Sequence, residues 1–144
     1  MASVFDVAKY ILEKAGSMST MKLQKLCYYS QAWSVAWTER PLFHERIEAW
    51  INGPVCPALF AIHKRKFMIR PDDIPHGNAD ALDADQADTV DKVLEYYGDW
   101  SPYELREQTH CEAPWKDARK GVPDDQPSDR EITVDSMGAY YGNL

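Results

Sequence analysis

The apolar and polar positions divide the chain into helices with one strand-like interruption. Ser3-x-x-Asp6 reads as a capping box, each side chain satisfying a backbone N–H that the first helical turn leaves unpaired. Phe5, Ala8, Leu12 and Ala15 then recur at helical spacing, and Gly16 closes the helix. A second helix starts at Ser19 or Thr20, runs through MKLQKLCYYSQAWSVAW, and is over by Pro41. Leu23, Leu26, Cys27, Ser30, Trp33 and Trp37 trace its inner face, with Lys22, Lys25 and Gln31 elsewhere. The period then changes to two. Phe43, Glu45, Ile47, Ala49 and Ile51 alternate with His44, Arg46, Glu48 and Trp50, predicting a strand that Gly53-Pro54 stops.

Pro57 suits the first position of a third helix, 57–67, with Leu59 and Ile62 inward. The basic run His63-Lys64-Arg65-Lys66 falls at its negative pole, a structural role. Residues 68–83, rich in Pro, Gly and Asp, read as an exposed connection. Asp83 with Gln86 opens a fourth helix carrying Ala87, Val90, Leu94 and Tyr97, and Gly98 stops it. A helix over 102–109, a turn over 114–120, a loop at VPDDQPSD and a short strand at REIT follow. Thr133 caps a last helix with Met137, Tyr140 and Tyr141. The expected architecture is mainly α with a small antiparallel β-sheet (α+β), in one compact domain, 1–144, of about six helices.

Composition narrows the function. With 44% apolar and 27% charged residues, the 144-residue chain has an ordinary globular make-up. No apolar run is long enough to span a membrane, and the N-terminus resembles neither a signal nor a transit peptide. Cys27, Cys56 and Cys111, an odd count at wide spacing, suggest free thiols and a cytoplasmic location. Residues 1–70 carry 10 Lys and Arg against 5 Asp and Glu, whereas residues 71–144 carry 6 against 18. The asymmetry reads as two solvated faces of one domain, or as an acidic half that attracts a basic protein partner; either way the balance argues against direct nucleic-acid binding.

The one stretch that invites catalysis is SPYELREQTHCEAPW, where His110 adjoins Cys111 amid glutamates. Adjacent side chains point in different directions, and no paired Cys/His spacing suits a metal, so neither metal nor other cofactor is expected. Nor does a phosphate-loop or nucleophile signature occur. The stretch reads better as architecture. Ser101, Pro102 and Glu104 make a helix start, and Pro114 biases Ala113 away from helix to force a corner. Trp115 returns to the core across that corner, with the His110 ring bonded to backbone groups freed by the turn.

Three blocks taken together resemble a known family. They are MKLQKLCYYSQAW, with Lys22, Leu23, Gln24, Lys25 and Leu26; PLFHERIEAWINGPVCPALF, with Gly53, Pro54 and Val55; and ELREQTHCEAPWKDA, with Thr109, His110, Pro114 and Trp115. Their order is that of the Panacea domain antitoxins (SocA/GepA-like, phage-associated), and the resemblance spans about residues 4–142. It implies a compact, mostly helical antitoxin of a bacterial or prophage toxin–antitoxin pair, without enzymatic activity. Such a chain would neutralise a cognate, translation-inhibiting toxin by direct binding, and the shared residues would serve mainly the fold. The candidate toxin contacts are the aromatic anchors Trp37, Trp50, Trp100, Tyr140 and Tyr141. The alternatives are an adaptor that delivers a client to a protease, or a Cys–His or metal-dependent hydrolase built on His110 and Cys111. A protease or chaperone is accordingly a further partner to consider.

Overall fold

Ser3 and Asp6 form the expected reciprocal cap: the Ser3 N–H donates to Asp6 Oδ2 at 2.8 Å and the Asp6 N–H to Ser3 Oγ at 3.2 Å. Helix α1, Val4–Ala15, follows in the computed structural model, which describes residues 1–144. After a two-residue strand β1, Met18–Ser19, comes helix α2, Thr20–Thr38, which is buried on almost every side. Strands β2, Ile47–Trp50, and β3, Gly53–Val55, lead to helix α3, Pro57–His63, and strand β4, Met68–Ile69. Helices α4, Ala84–Tyr97, α5, Pro102–His110, and α6, Ala113–Ala118, are followed by strand β5, Glu131–Ile132, and helix α7, Val134–Tyr141. The fold is α+β with seven helices, since the expected turn near 114–120 is a full helix. β3, β2 and β5 form one antiparallel sheet in that order, and β1 pairs with β4 in a second.

Helix α2 is the axis, and its polar side chains are as deeply placed as its apolar ones. Lys25 and Gln31, expected away from the inner face, are both buried, as are Gln24, Ser30 and Ser34. A helix enclosed on all sides has no solvent face to which they could be assigned. The glutamines act as surrogate strand partners. Gln24 Oε1 accepts from the Cys56 N–H at 2.9 Å while its Nε2 donates to the Cys56 carbonyl at 3.2 Å. Seven residues on, Gln31 Oε1 accepts from the N–H groups of Leu42 at 2.7 Å and Phe43 at 3.3 Å, and its Nε2 donates to the Phe43 carbonyl at 2.9 Å.

That second clamp shortens the expected strand. Phe43 spends its backbone on Gln31, so ladder pairing begins only at Ile47, with Ile47 opposite Ile132. Gly53-Pro54 does not stop the sheet either; it starts β3, where Pro54 lies opposite Ala49 on an edge strand that tolerates a missing N–H. Helix α3 stops at His63, short of residue 67, and buries His63 beside Leu59. Residues 68–83 are a strap across α1 with Ile69, Ile74 and Leu82 buried, and are not a free connection. Asp6 Oδ1 accepts from the Asn78 N–H at 2.8 Å, and Lys9 Nζ donates to the Pro71 carbonyl at 2.8 Å. Proline, glycine and aspartate here mark tight local turns on a docked segment.

Gln31→Met removes the partner of two buried N–H groups and one carbonyl while roughly keeping volume. It is expected to lower unfolding free energy by ~2–4 kcal/mol in urea titrations, given ~1–3 kcal/mol per buried group left unpaired. A loss below about 0.5 kcal/mol would mean that the amide does not anchor the 42–43 segment.

Candidate protein-binding groove

Tyr29, Trp33 and Trp37 lie at four-residue intervals on α2 and so form one stripe, which climbs from the core to solvent. Tyr29 is fully buried, Trp33 half-buried and Trp37 50% exposed. Helix α4 supplies the facing wall. Tyr97 stacks on Tyr29 with centroids 4.1 Å apart, and its hydroxyl accepts from Trp33 Nε1 at 3.2 Å. Tyr96, its neighbour, turns outward and is 67% exposed. Between these walls runs an open groove of about 680 Å³, bounded also by Lys92, Glu95, Gln108 and Leu144.

Glu112 lies at the base of this groove. It occupies the position before α6, yet its carboxylate caps no backbone N–H of that helix. Instead Oε1 accepts from the hydroxyls of Tyr29 at 2.7 Å and Tyr141 at 2.8 Å, and Oε2 accepts from Gln108 Nε2 at 3.0 Å. Tyr28 joins the network through the Tyr141 hydroxyl at 3.0 Å. Burial raises the pKa of Tyr28, Tyr29 and Tyr141 far above the usual phenol range, and the charge of Glu112 adds to it. The same two causes push Tyr97 to about 12. All four phenols stay protonated, and those of Tyr29 and Tyr141 donate to the carboxylate.

A second polar cluster lies under α5. Lys25 is only 1% exposed, and no carboxylate stands within ion-pair distance of its ammonium. Desolvation, with the charge of Arg106, brings its pKa down to about 7. Gly53 has φ +113°, and a Cβ there would lie 2.6 Å from Lys25 Cε and 3.1 Å from Thr109 Oγ1. Glycine is therefore required twice, by backbone and by space. Burial likewise lowers the pKa of His63, and that of His110 to about 4.

Residues 23–116, well over half the chain, match the family model described as antitoxin SocA-like, Panacea domain. The chain belongs to the SocA-like Panacea family. No curated protein and no solved structure matches it. Within the Panacea span the motif residues meet in space: Lys25 and Thr109 both lie against Gly53, and Gln24 clamps the residue after Val55. Leu23 and Leu26 are core residues, while Lys22, just outside the matched span, donates through Nζ to the Gly98 carbonyl at 2.6 Å. Pro54 is buried in β3.

The Panacea corner differs from its expected form in two ways. Pro114 is buried inside the first turn of α6, so the extended residue is Glu112 and Ala113 is already helical. His110 bonds no backbone group; its Nε2 is buried without a partner, and the ring stacks on Trp115 with centroids 3.8 Å apart and planes 9° apart. Trp115 does return to the core, donating from Nε1 to the Trp50 carbonyl at 2.8 Å. Cys111 is an exposed free thiol, and no group of three or more His, Cys, Asp or Glu is placed to hold a metal ion.

Of the five aromatic anchors, Trp37 alone lines the groove. Tyr141 is 2% exposed, so the expectation of an exposed contact there is overturned: it is held by Tyr28 and Glu112. Tyr140 is half-buried, edge-on to Tyr141. Trp50 packs edge-on to Phe60 and donates to Glu48 Oε1 at 2.8 Å, away from the groove. Trp100 leans on Tyr97 and lines an adjoining depression with Glu104, Glu107 and Gln108. Sequence reasoning missed Trp33, Tyr96 and Glu112 as groove residues. The four-residue spacing from Tyr29 to Trp37 was a legible signal, whereas nothing local marks Glu112.

Unfolded, Lys25 keeps its proton to about pH 10; folded, it releases the proton near pH 7. Between those values the unfolded chain binds the extra proton, so raising the pH favours the folded state. Stability measured relative to Lys25→Met is expected to climb by about 1.4 kcal/mol per pH unit between about pH 7 and 9. Parallel pH profiles for the two proteins would refute a neutral folded Lys25.

Proposed function

We propose that this chain is the antitoxin of a toxin–antitoxin pair and neutralises its toxin by binding it directly, without a reaction of its own. Membership of the SocA-like antitoxin family is the observation that carries this reading. The exposed aromatic groove supports it, because aromatic side chains presented on packed walls are the usual carriers of interface energy. The acidic half of the chain favours a basic toxin, as a translation inhibitor directed at RNA would be. The working unit is residues 1–144 as one domain, since the core draws on residues from Ala2 to Tyr141. The setting we propose is the bacterial cytoplasm, with the pair carried by a prophage. No helix of the chain is long and apolar enough to cross a membrane.

Co-expression with the product of the neighbouring reading frame is expected to rescue growth, and the two proteins should co-purify. Trp37→Ala combined with Tyr96→Ala should weaken the complex at least about 10-fold, because contact residues of this kind each carry more than ~1 kcal/mol. Both side chains are half exposed or more, so the melting temperature should move little. A neighbour harmless on its own and retained by no complex would sink the reading; a complex indifferent to the double variant would move the contact face elsewhere.

A further inference from the structure

We infer that the groove receives a cationic side chain, an arginine from a basic segment of the protein partner, whose guanidinium closes on Glu112 between the aromatic walls. The inference rests on the toxin-binding reading and specifies the chemistry of the bound element. Glu112 is 4% exposed, and none of the chain's ion pairs involves it. A carboxylate taken so far out of water is ordinarily matched by a cation. Here its partners are all neutral: two tyrosine hydroxyls on Oε1 and one amide on Oε2. A carboxylate offers about four acceptor positions, so one remains, on the oxygen that carries a single donor.

The walls suit the same guest. Trp37 already carries a cation of its own chain, Lys92 Nζ standing 5.8 Å from the ring centroid. That ammonium is committed to Asp88 at 3.0 Å and leaves Glu112 without a counter-charge. A planar guanidinium stacks on indole and phenol rings and donates to a carboxylate at the same time, which an ammonium does less well. Glu95 on the groove and Glu104 in the depression that shares Gln108 make the approach negative, Glu107 there being paired with Arg106. The complementary segment is therefore basic with apolar neighbours, and a nucleic-acid backbone would be repelled.

The test uses the full chain and the pentapeptides acetyl-Gly-Leu-Xaa-Leu-Gly-amide, with arginine, lysine or neutral citrulline at the centre, and choline as a small cation. Indole N–H cross-peaks of Trp33 and Trp37 report binding. The arginine peptide is expected to shift both peaks saturably, lysine to bind more weakly, and citrulline to bind at least 10-fold more weakly. Glu112→Gln should weaken the arginine peptide at least 10-fold and leave the citrulline peptide within 2-fold. Its amide oxygen can still accept from both tyrosines and Gln108 can rotate to accept, so the fold should persist. Trp37→Leu supplies a second variant with the same expected loss. Asp125→Asn removes an exposed charge outside the groove and should change binding by less than 2-fold. Equal binding of citrulline and arginine, tighter binding of choline, or indifference to Glu112→Gln overturns the inference. A rescued cell whose complex ignores Glu112→Gln also overturns it while the toxin-binding reading stands. An arginine peptide that binds as expected in a chain that rescues no growth does the reverse.

Discussion

The fold depends on the two glutamine amides of α2. Gln24 and Gln31 stand seven residues apart, two helical turns, and each pairs with both the N–H and the carbonyl of a residue in a flanking irregular segment. Each buried backbone group without such a partner would cost ~1–3 kcal/mol. With them, the irregular backbone at Leu42, Phe43 and Cys56 can lie against a helix in the interior, where loops are normally excluded. The short hairpin β2–β3 is held between these two fixed points, and β5 then finds an edge to pair with.

This arrangement explains which parts of the fold were legible in the sequence. Capping boxes at Ser3, Asp83 and Ser101 are local, and each begins a helix where its spacing says it should. The alternation around Ile47 is local too, and Ile47 and Ala49 are indeed the buried members. What misled was polarity used as a sign of exposure. Gln31 lies inside because it bonds Leu42 and Phe43, just beyond the end of α2, and Lys25 because its stem packs on Gly53 from the hairpin, neither of which the periodicity of α2 records. The same holds for residues 68–83, whose turn-forming composition is real but whose three buried apolar side chains dock on α1.

The groove was half legible. An aromatic at every fourth position, Tyr29, Trp33 and Trp37, announces a stripe, and the structure adds that the stripe rises out of the core. Glu112 could not be found that way. Its sequence neighbourhood suggests a helix cap or an acid beside a histidine, and it is neither: its oxygens are taken by residues 83, 29 and 4 positions away in the chain. The Panacea motif residues fall into the scaffold under α5, while the groove is built largely from residues outside those motifs.

The contact between Gly53 and Lys25 has an evolutionary consequence. A methyl group at position 53 would collide with the lysine stem before any question of charge arises. The two positions, 28 residues apart, therefore constitute one inherited choice: substitution of the glycine becomes tolerable only after the lysine has been shortened. The positive φ at 53 would still penalise the newcomer after that. Drift at 53 is thus conditional on change at 25, whereas 25 can change first, so descendants that lose the glycine should already have lost the lysine.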